Sequence, residues 1–335
     1  MIRIRSNVTQ MTSKDSQFSG CVSLAALVSL KAMIVSTAEE ALLRLKALTP
    51  SEPSTMQAAM LISPEGFGIN QESTIDNQYI QAQETVDLEL AHAQHANLAR
   101  TIRRLGIPVV TFPGRIGEPD GVFGNNVFAT TSTRFIIGRM YHPSRQREAT
   151  REDVRHYFQG LMKRPLHDLS KENAAAELTG ALVIDRARNF AICGLSNRAD
   201  NAGSNNMHQA FDLKLTLNAR LKESEYHTNV VLAVLAGKAS IVAPSAFESE
   251  DVMALLSQAY GKQVVELDET QPGTFAANCI AVTPTDVLMS QTGLDNLRSD
   301  QLSILESAGL TVHGVDVSEF EKAGGSLRCL VTEIF

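Results

Sequence analysis

Chemistry in this chain would have to come from a few polar residues set among apolar ones. The sharpest is Cys329, reached through Gly324-Gly325-Ser326-Leu327-Arg328 and followed by a short apolar run to Phe335. Paired glycines allow positive φ or a close backbone approach. A cation such as Arg328 beside a thiol raises its thiolate fraction, the nucleophilic form. The same residues also read as an inert thiol opening a buried strand, because cysteine is among the most buried residue types. Glu177 stands among Ala174-Ala175-Ala176 and Leu178-Thr179-Gly180, where a carboxylate is costly to bury unless something uses it. His227 precedes the apolar stretch 230–235, a place where histidine is more often a hydrogen-bonded structural residue. Residues 120–126 (Asp-Gly-Val-Phe-Gly-Asn-Asn) hold Asp120 and Asn126, and turn chemistry alone would explain adjacent asparagines there.

The elements that must position these groups can be read from periodicity. Residues 60–62 read as a strand and 63–68 as a turn. A polar helix with apolar positions at helical spacing follows over 76–104, stopped by Gly106 and Pro108. A strand at 109–112, a hairpin over 129–137 and a helix near 151–162 come next, with a basic loop at 140–147. Strands ending at Asp185 and spanning 190–195, a helix opening near Met207, strands at 230–235 and 240–242, and a helix over 248–260 continue the pattern. Strands at 264–267 and 279–282, a helix over 300–308, and strands at 310–317 and 329–334 complete it. A strand or hairpin followed by a helix thus occurs about five times. Asn126, Glu177, His227, Asn278 and Cys329 each sit at one end of a different strand. A pseudosymmetric α/β ring would need that placement to gather its chemistry on one axis.

Residues 1–55 read differently. An apolar patch at 21–35 follows a Ser/Thr/Gln-rich lead; it starts late for a signal sequence, and Lys14-Asp15 is an odd flank. Residues 36–48 predict a helix with Ser36 as N-cap and Glu39 completing a capping box, stopped by Pro50 and Pro53. The expectation is an N-terminal extension over 1–55 outside the fold, loosely ordered or one loose helix, and a catalytic domain over 56–335.

The totals exclude several classes. The chain has 335 residues, 44% of them hydrophobic, enough for a large core. A net charge of −7 argues against a nucleic-acid partner. Cys21, Cys193, Cys279 and Cys329 are scattered without a CxxC pair, which suits free thiols in a reducing, cytoplasmic setting. No apolar run approaches the roughly 20 residues needed to span a bilayer, so no membrane partner is expected. No GxGxxG follows a strand and no GxxxxGK[ST] is present, and no HxxxH or CxxC pair suggests a metal.

Glu177-Leu178-Thr179-Gly180, Ser196-Asn197-Arg198, His227-Thr228-Asn229 and the Gly324-to-Cys329 run together resemble the guanidine-modifying (pentein, amidinotransferase) superfamily. Phe67-Gly68-Ile69-Asn70, residues 120–126 and residues 324–335 resemble its citrulline hydrolase (citrulline ureidase), arginine-deiminase-related branch most closely. The resemblance covers about residue 60 to the end. It implies a five-fold pseudosymmetric ββαβ propeller with the site on its axis, and no cofactor or metal. It further implies Cys329 as the nucleophile, His227 as general acid/base and Glu177 as the site carboxylate. Arg198 would hold the substrate carboxylate, with Asp120, Asn126 and Asn229 as further substrate-binding residues. Gly124 and Val127 depart from the branch, which has Pro and Trp there, and Leu178 replaces a small residue.

Charge then chooses the substrate. Asn126 and Asn229 stand where guanidine-binding relatives carry aspartates. A guanidinium wants carboxylates, whereas a neutral ureido group offers a carbonyl as well as amines, and an amide can serve both. The expected partner is a small amino-acid substrate, citrulline, hydrolysed to ornithine, ammonia and carbon dioxide. An arginine-deiminase-like or dimethylarginine-hydrolase-like enzyme and a non-catalytic pentein-shaped binding protein are the alternatives. Homo-oligomerisation is left open.

Overall fold

The computed structural model describes residues 32–335; Cys21 and most of the apolar patch at 21–35 lie outside the described residues. The strands are β1 (Met33–Val35), β2 (Ala58–Ile62), β3 (Val109–Phe112), β4 (Phe128–Thr130), β5 (Phe135–Ile137) and β6 (Leu166–Asp168). They continue with β7 (Leu182–Asp185), β8 (Phe190–Leu195), β9 (Leu215–Arg220), β10 (Leu232–Leu235) and β11 (Ala239–Val242). The last are β12 (Val264–Glu266), β13 (Ile280–Ala281), β14 (Asp286–Ser290), β15 (Thr311–Val315) and β16 (Thr332–Ile334).

Among the described residues these strands form five sheets, all with one internal order. A first strand runs antiparallel to a central one, and a third strand lies parallel to the central one on its other side. The triplets are β4-β5-β6, β7-β8-β9, β10-β11-β12 and β13-β14-β15, and the fifth is β16-β2-β3. Parallel neighbours need a long crossover. Helices Leu88–Arg104, Asn201–Ala210, Asp251–Tyr260 and Ser299–Ser307 supply four of these, and a broken helical stretch from Pro143 to Leu161 supplies the other. In the fifth triplet Thr332 pairs with Met60 and Ile334 with Ala58, so residues from the two ends of the sequence share a sheet.

Central strands are buried on both faces. In β8, Phe190, Ala191, Ile192 and Cys193 are all inaccessible, which is why the run reads as continuously apolar. Helix Leu88–Arg104 buries Ala91, Leu98, Ala99 and Ile102 on one face at helical spacing. It begins twelve residues later than periodicity predicts, with Asp87 as its N-cap. Residues 76–87 instead cross the molecule as a strap, held by an Ile80–Ala323 bridge and the bond from Gln81 N to Lys322 O.

The expected boundary at residue 55 is corrected by β1, which pairs parallel with β9 (Met33 with Leu215, Val35 with Leu217) and covers an otherwise open sheet edge. Helix Ala38–Leu45 follows, capped by Thr37 and not Ser36, because the Thr37 hydroxyl accepts from Glu40 N. Ala38 N donates to Asp251 Oδ1 at 2.7 Å, and Ala41 and Leu45 join the main apolar core. Residues 33–45 are therefore part of the fold.

Candidate active site

The five polar residues noted at strand ends each precede the first strand of a different sheet, most of them in a single turn of helix. Asn126 ends the turn Gly124–Asn126 before β4. Glu177 heads Leu178–Ala181 before β7, and His227 heads Thr228–Val231 before β10. Asn278 lies just ahead of β13, and Cys329 sits within Leu327–Leu330 before β16. The sequence predicts Cys329 on a strand and His227 at the head of one; the intervening turn is too short to leave a periodic signature. The turns are bonded to one another in succession. Thr179 Oγ1 donates to Asn125 O (3.0 Å) and Thr228 Oγ1 to Ala181 O (2.5 Å). Asn278 Nδ2 donates to Asn229 O (2.8 Å), and Arg328 N donates to Asn278 Oδ1 (3.0 Å).

His227 and Glu177 are both fully buried, with His227 Nε2 at 2.8 Å from Glu177 Oε2. A carboxylate can only accept, so Nε2 carries the proton and Nδ1 is left with its lone pair. Among the described residues that Nδ1 has no hydrogen-bond partner, nor does Asn126 Oδ1. Both lie within 3 Å of where a Cβ on Gly180 would be, so the glycine keeps open the space they share. Glu177 also accepts from Arg198 Nη1 (3.2 Å) and Tyr141 N (2.9 Å), and Arg145 Nη1 lies 3.9 Å away. Burial alone would raise the Glu177 pKa, but Arg198, His227 and Arg145 outweigh it and hold the carboxyl well below its usual range. Burial pushes the His227 pKa down, keeping the imidazole neutral at neutral pH.

Cys329 is 1% exposed and lines a small cavity with Asp120, Asn126, Arg145, Arg198 and Tyr226. Its sulfur receives Asn278 Nδ2 at 3.3 Å and Asn229 Nδ2 at 3.8 Å. The paired glycines are needed where they stand. Gly324 has φ +76°, and a Cβ on Gly325 would come within 2.6 Å of the Phe123 ring. Arg328 acts on the thiol as expected, its charge favouring the thiolate, but burial outweighs it. Its guanidinium turns to Val331 O (2.7 Å) and Glu333 Oε2 (2.9 Å), and burial leaves the Cys329 thiol above its ordinary pKa despite the Asn278 donor. Leu178, the departure from a small residue, is buried at φ +29°, a conformation that disfavours side chains.

Arg198 is committed to acids on both sides: besides Glu177, its Nε and Nη2 grip Asp76 at 2.8 and 2.7 Å. Asp76 was read as the start of a helix, and nothing in a single sequence marks it as this partner. Arg145 belongs to the basic loop expected at 140–147, yet it is 3% exposed. Its Nε and Nη2 are bonded to Glu148 (3.0 and 2.9 Å), while Nη1 makes no hydrogen bond among the described residues. Asp120 accepts from Asn70 and Ser73 through Oδ2, both at 2.8 Å. Among the described residues no cluster of three or more His, Cys, Asp and Glu side chains is arranged to hold a metal ion, and no helix is long and apolar enough to cross a membrane.

A family model described as eukaryotic N,N-dimethylarginine dimethylhydrolase matches residues 63–335. The chain belongs to that family. It is thereby a member of the pentein (amidinotransferase) superfamily, in its arginine-metabolism branch, and a hydrolase of carbon–nitrogen bonds other than peptide bonds. The uncharacterized protein YkgA of Bacillus subtilis is 24% identical over 285 residues, 85% of this chain and 93% of that one. The N(G),N(G)-dimethylarginine dimethylaminohydrolase of Mycobacterium tuberculosis is 24% identical over 262 residues, 77% of this chain and 80% of its own. The crystal structure of the N-terminal domain of ArgZ, an arginine dihydrolase from cyanobacteria, superposes with a TM-score of 0.71 at 20% identity. It covers 83% of this chain and 97% of that domain.

Proposed function

We propose that this hydrolase opens the ureido group of citrulline, with Cys329 attacking the ureido carbon, and releases ornithine, ammonia and carbon dioxide. The five turns would ring one axis, as the five blades of a pentein propeller place them. The observation that carries the substrate choice is the lining of the thiol cavity. Asn126 enters it as an amide with an unsatisfied Oδ1, and a second amide, Asn229, reaches the sulfur. The one carboxylate of that lining, Asp120, already takes two hydrogen bonds and lies 3.7 Å from Arg145. The substrate carboxylate would go to Arg145 Nη1 and to Arg198, displacing Asp76 there, and its ammonium to Asp120. A neutral ureido head would then meet the two amides.

In the first step the Cys329 proton passes to His227, and the new carbon–sulfur bond forms as the tetrahedral carbon collects. His227 returns the proton to the departing ammonia, the carbon–nitrogen bond breaks, and an N-substituted thiocarbamate remains on Cys329. Water, deprotonated by His227, adds to that carbon and expels the thiolate, which takes the proton back from His227; the ornithine carbamate released decomposes to ornithine and carbon dioxide. Splitting the hydrolysis this way replaces one difficult step with two easier ones, and such a base contributes about 10²–10⁴ in rate. A thiol nucleophile fits a reducing, cytoplasmic setting.

One observation favours a guanidino substrate instead: the thiol sits above its ordinary pKa, and an arriving guanidinium would favour its ionisation. Purified protein incubated separately with citrulline, arginine and dimethylarginine decides between them by ornithine, ammonia and citrulline release. Ornithine from citrulline supports the ureidase reading. Citrulline accumulating from arginine or dimethylarginine, with none consumed, replaces it. Cys329→Ser should fold and be inactive.

A further inference from the structure

The hydrogen bond from Asn278 to the Cys329 sulfur is the least expected contact at the site, because the roles carried by the resemblance leave Asn278 without one. Asn278 is fully buried just ahead of β13, and both ends of its amide are engaged. Oδ1 accepts from Arg328 N at 3.0 Å, and the Asn278 carbonyl lies 3.2 Å from the same nitrogen, so the residue grips the backbone immediately before the nucleophile. Nδ2 has two protons; it donates to Asn229 O at 2.8 Å and to Cys329 Sγ at 3.3 Å. Of the two side-chain amides that donate to the sulfur among the described residues, Asn278 is the nearer. Arg328, the cation that adjoins the thiol in sequence, spends its guanidinium on Val331 and Glu333.

We propose that Asn278 is a catalytic residue of the thiol step: its amide donor stabilises the Cys329 thiolate as it forms, while its oxygen fixes the turn that aims the sulfur. A donor amide is a suitable device in this environment. It favours the ionised sulfur over the neutral thiol, which accepts only weakly. It also adds no fixed charge that a neutral substrate would have to face. The proposal rests on the reading of Cys329 as nucleophile but not on the choice of substrate.

The test separates the two ends of the amide. Asn278→Asp keeps an oxygen for Arg328 N and replaces the donor to sulfur with an acceptor; Asn278→Ala removes both without adding charge. The pH dependence of Cys329 alkylation by iodoacetamide, read on the Cys329 peptide by mass spectrometry, reports the thiol's ionisation without substrate. The alkylation midpoint should move to higher pH by at least about one unit in Asn278→Asp and by less in Asn278→Ala. In the folded fraction of Asn278→Asp, kcat should fall at least tenfold with KM within a few-fold of the parent; both variants lose the bond to Asn229 O, so the unfolding temperature should fall in both. An unmoved midpoint in a folded variant overturns the inference, even if activity is lost. If the parent turns over no ureido or guanidino substrate but the midpoints still shift, the functional reading fails and the Asn278 inference stands.

Discussion

His227 Nε2 meets Glu177 Oε2 at 2.8 Å with both side chains sealed from solvent, and the same carboxylate oxygen is 3.2 Å from Arg198 Nη1. The carboxylate therefore has two tasks: it fixes the imidazole tautomer that leaves Nδ1 bare, and it neutralises a buried guanidinium.

Glu177→Gln should fail at both. Removing one partner of a buried ion pair typically costs about 3–5 kcal/mol; Arg198 keeps Asp76, so a loss at or below the low end of that range is expected. Thermal denaturation should show that loss, and turnover in the folded fraction should fall at least about 100-fold. A variant as stable as the parent would show that Arg198 is neutralised by other groups.

Gly180→Ala probes the space over the imidazole. The added methyl would lie 2.6 Å from Asn126 Oδ1 and 2.9 Å from His227 Nδ1, closer than real carbon contacts allow. Overpacking of this kind costs roughly 1–3 kcal/mol. We expect a modest drop in unfolding temperature with kcat reduced about 100-fold or more; unchanged kcat would place the reacting groups elsewhere.

The pH profile follows from two opposite displacements. Burial lowers the His227 pKa below 6.5 and raises the Cys329 pKa above 9.0, so thiol plus neutral imidazole is the resting form between them. Protonating His227 removes the base, so kcat/KM should fall on the acid side only below about pH 6.5. Ionising Cys329 without substrate removes the proton destined for the leaving amine, so the alkaline limb should lie above about pH 9. A bell narrower than that, centred near neutrality, would contradict the assignment.

Recognition of the substrate carboxylate can be tested without altering the protein. The urea derivative lacking that group, N-carbamoylputrescine, should show kcat/KM lower by about 10- to 150-fold, since a charge-assisted bond to Arg is worth roughly 1.5–3 kcal/mol. Ammonia release at low substrate concentration gives the ratio. Equal rates would remove Arg145 and Arg198 from substrate binding.

The strand-and-helix alternation was legible because central strands such as β8 are apolar throughout and the crossover helices carry clear apolar stripes. Glu177 stood out as a carboxylate among apolar neighbours, whereas His227 and Cys329 read as structural residues on their own and were singled out by the family resemblance. Three things were not legible. Residues 76–87 have helix-compatible spacing, but Asp76, Asn77 and Tyr79 hold the strap through contacts with Arg198, Gly324 and Glu225. Those partners lie more than a hundred residues away in sequence, and periodicity cannot register them. Arg145 read only as one cation of a basic loop because the acids that permit its burial, Glu148, Asp120 and Glu177, come largely from other elements. The first turn of helix at 38–45 looked expendable because its partners, β9 and Asp251, are equally remote.

β16 fills the place beside β2. While the chain is being synthesised, residues 58–62 emerge early and must wait, with one flank of backbone amides and carbonyls unfilled, for residues 332–334 to arrive. Contacts so distant in sequence form slowly, and an unfilled strand flank invites pairing with the wrong chain. The sulfur, three residues upstream of β16, is delivered by that same closing event. If Cys329 is the nucleophile proposed above, a nascent or misassembled molecule is inactive, and turnover per mole of protein counts the molecules in which β16 has paired with β2.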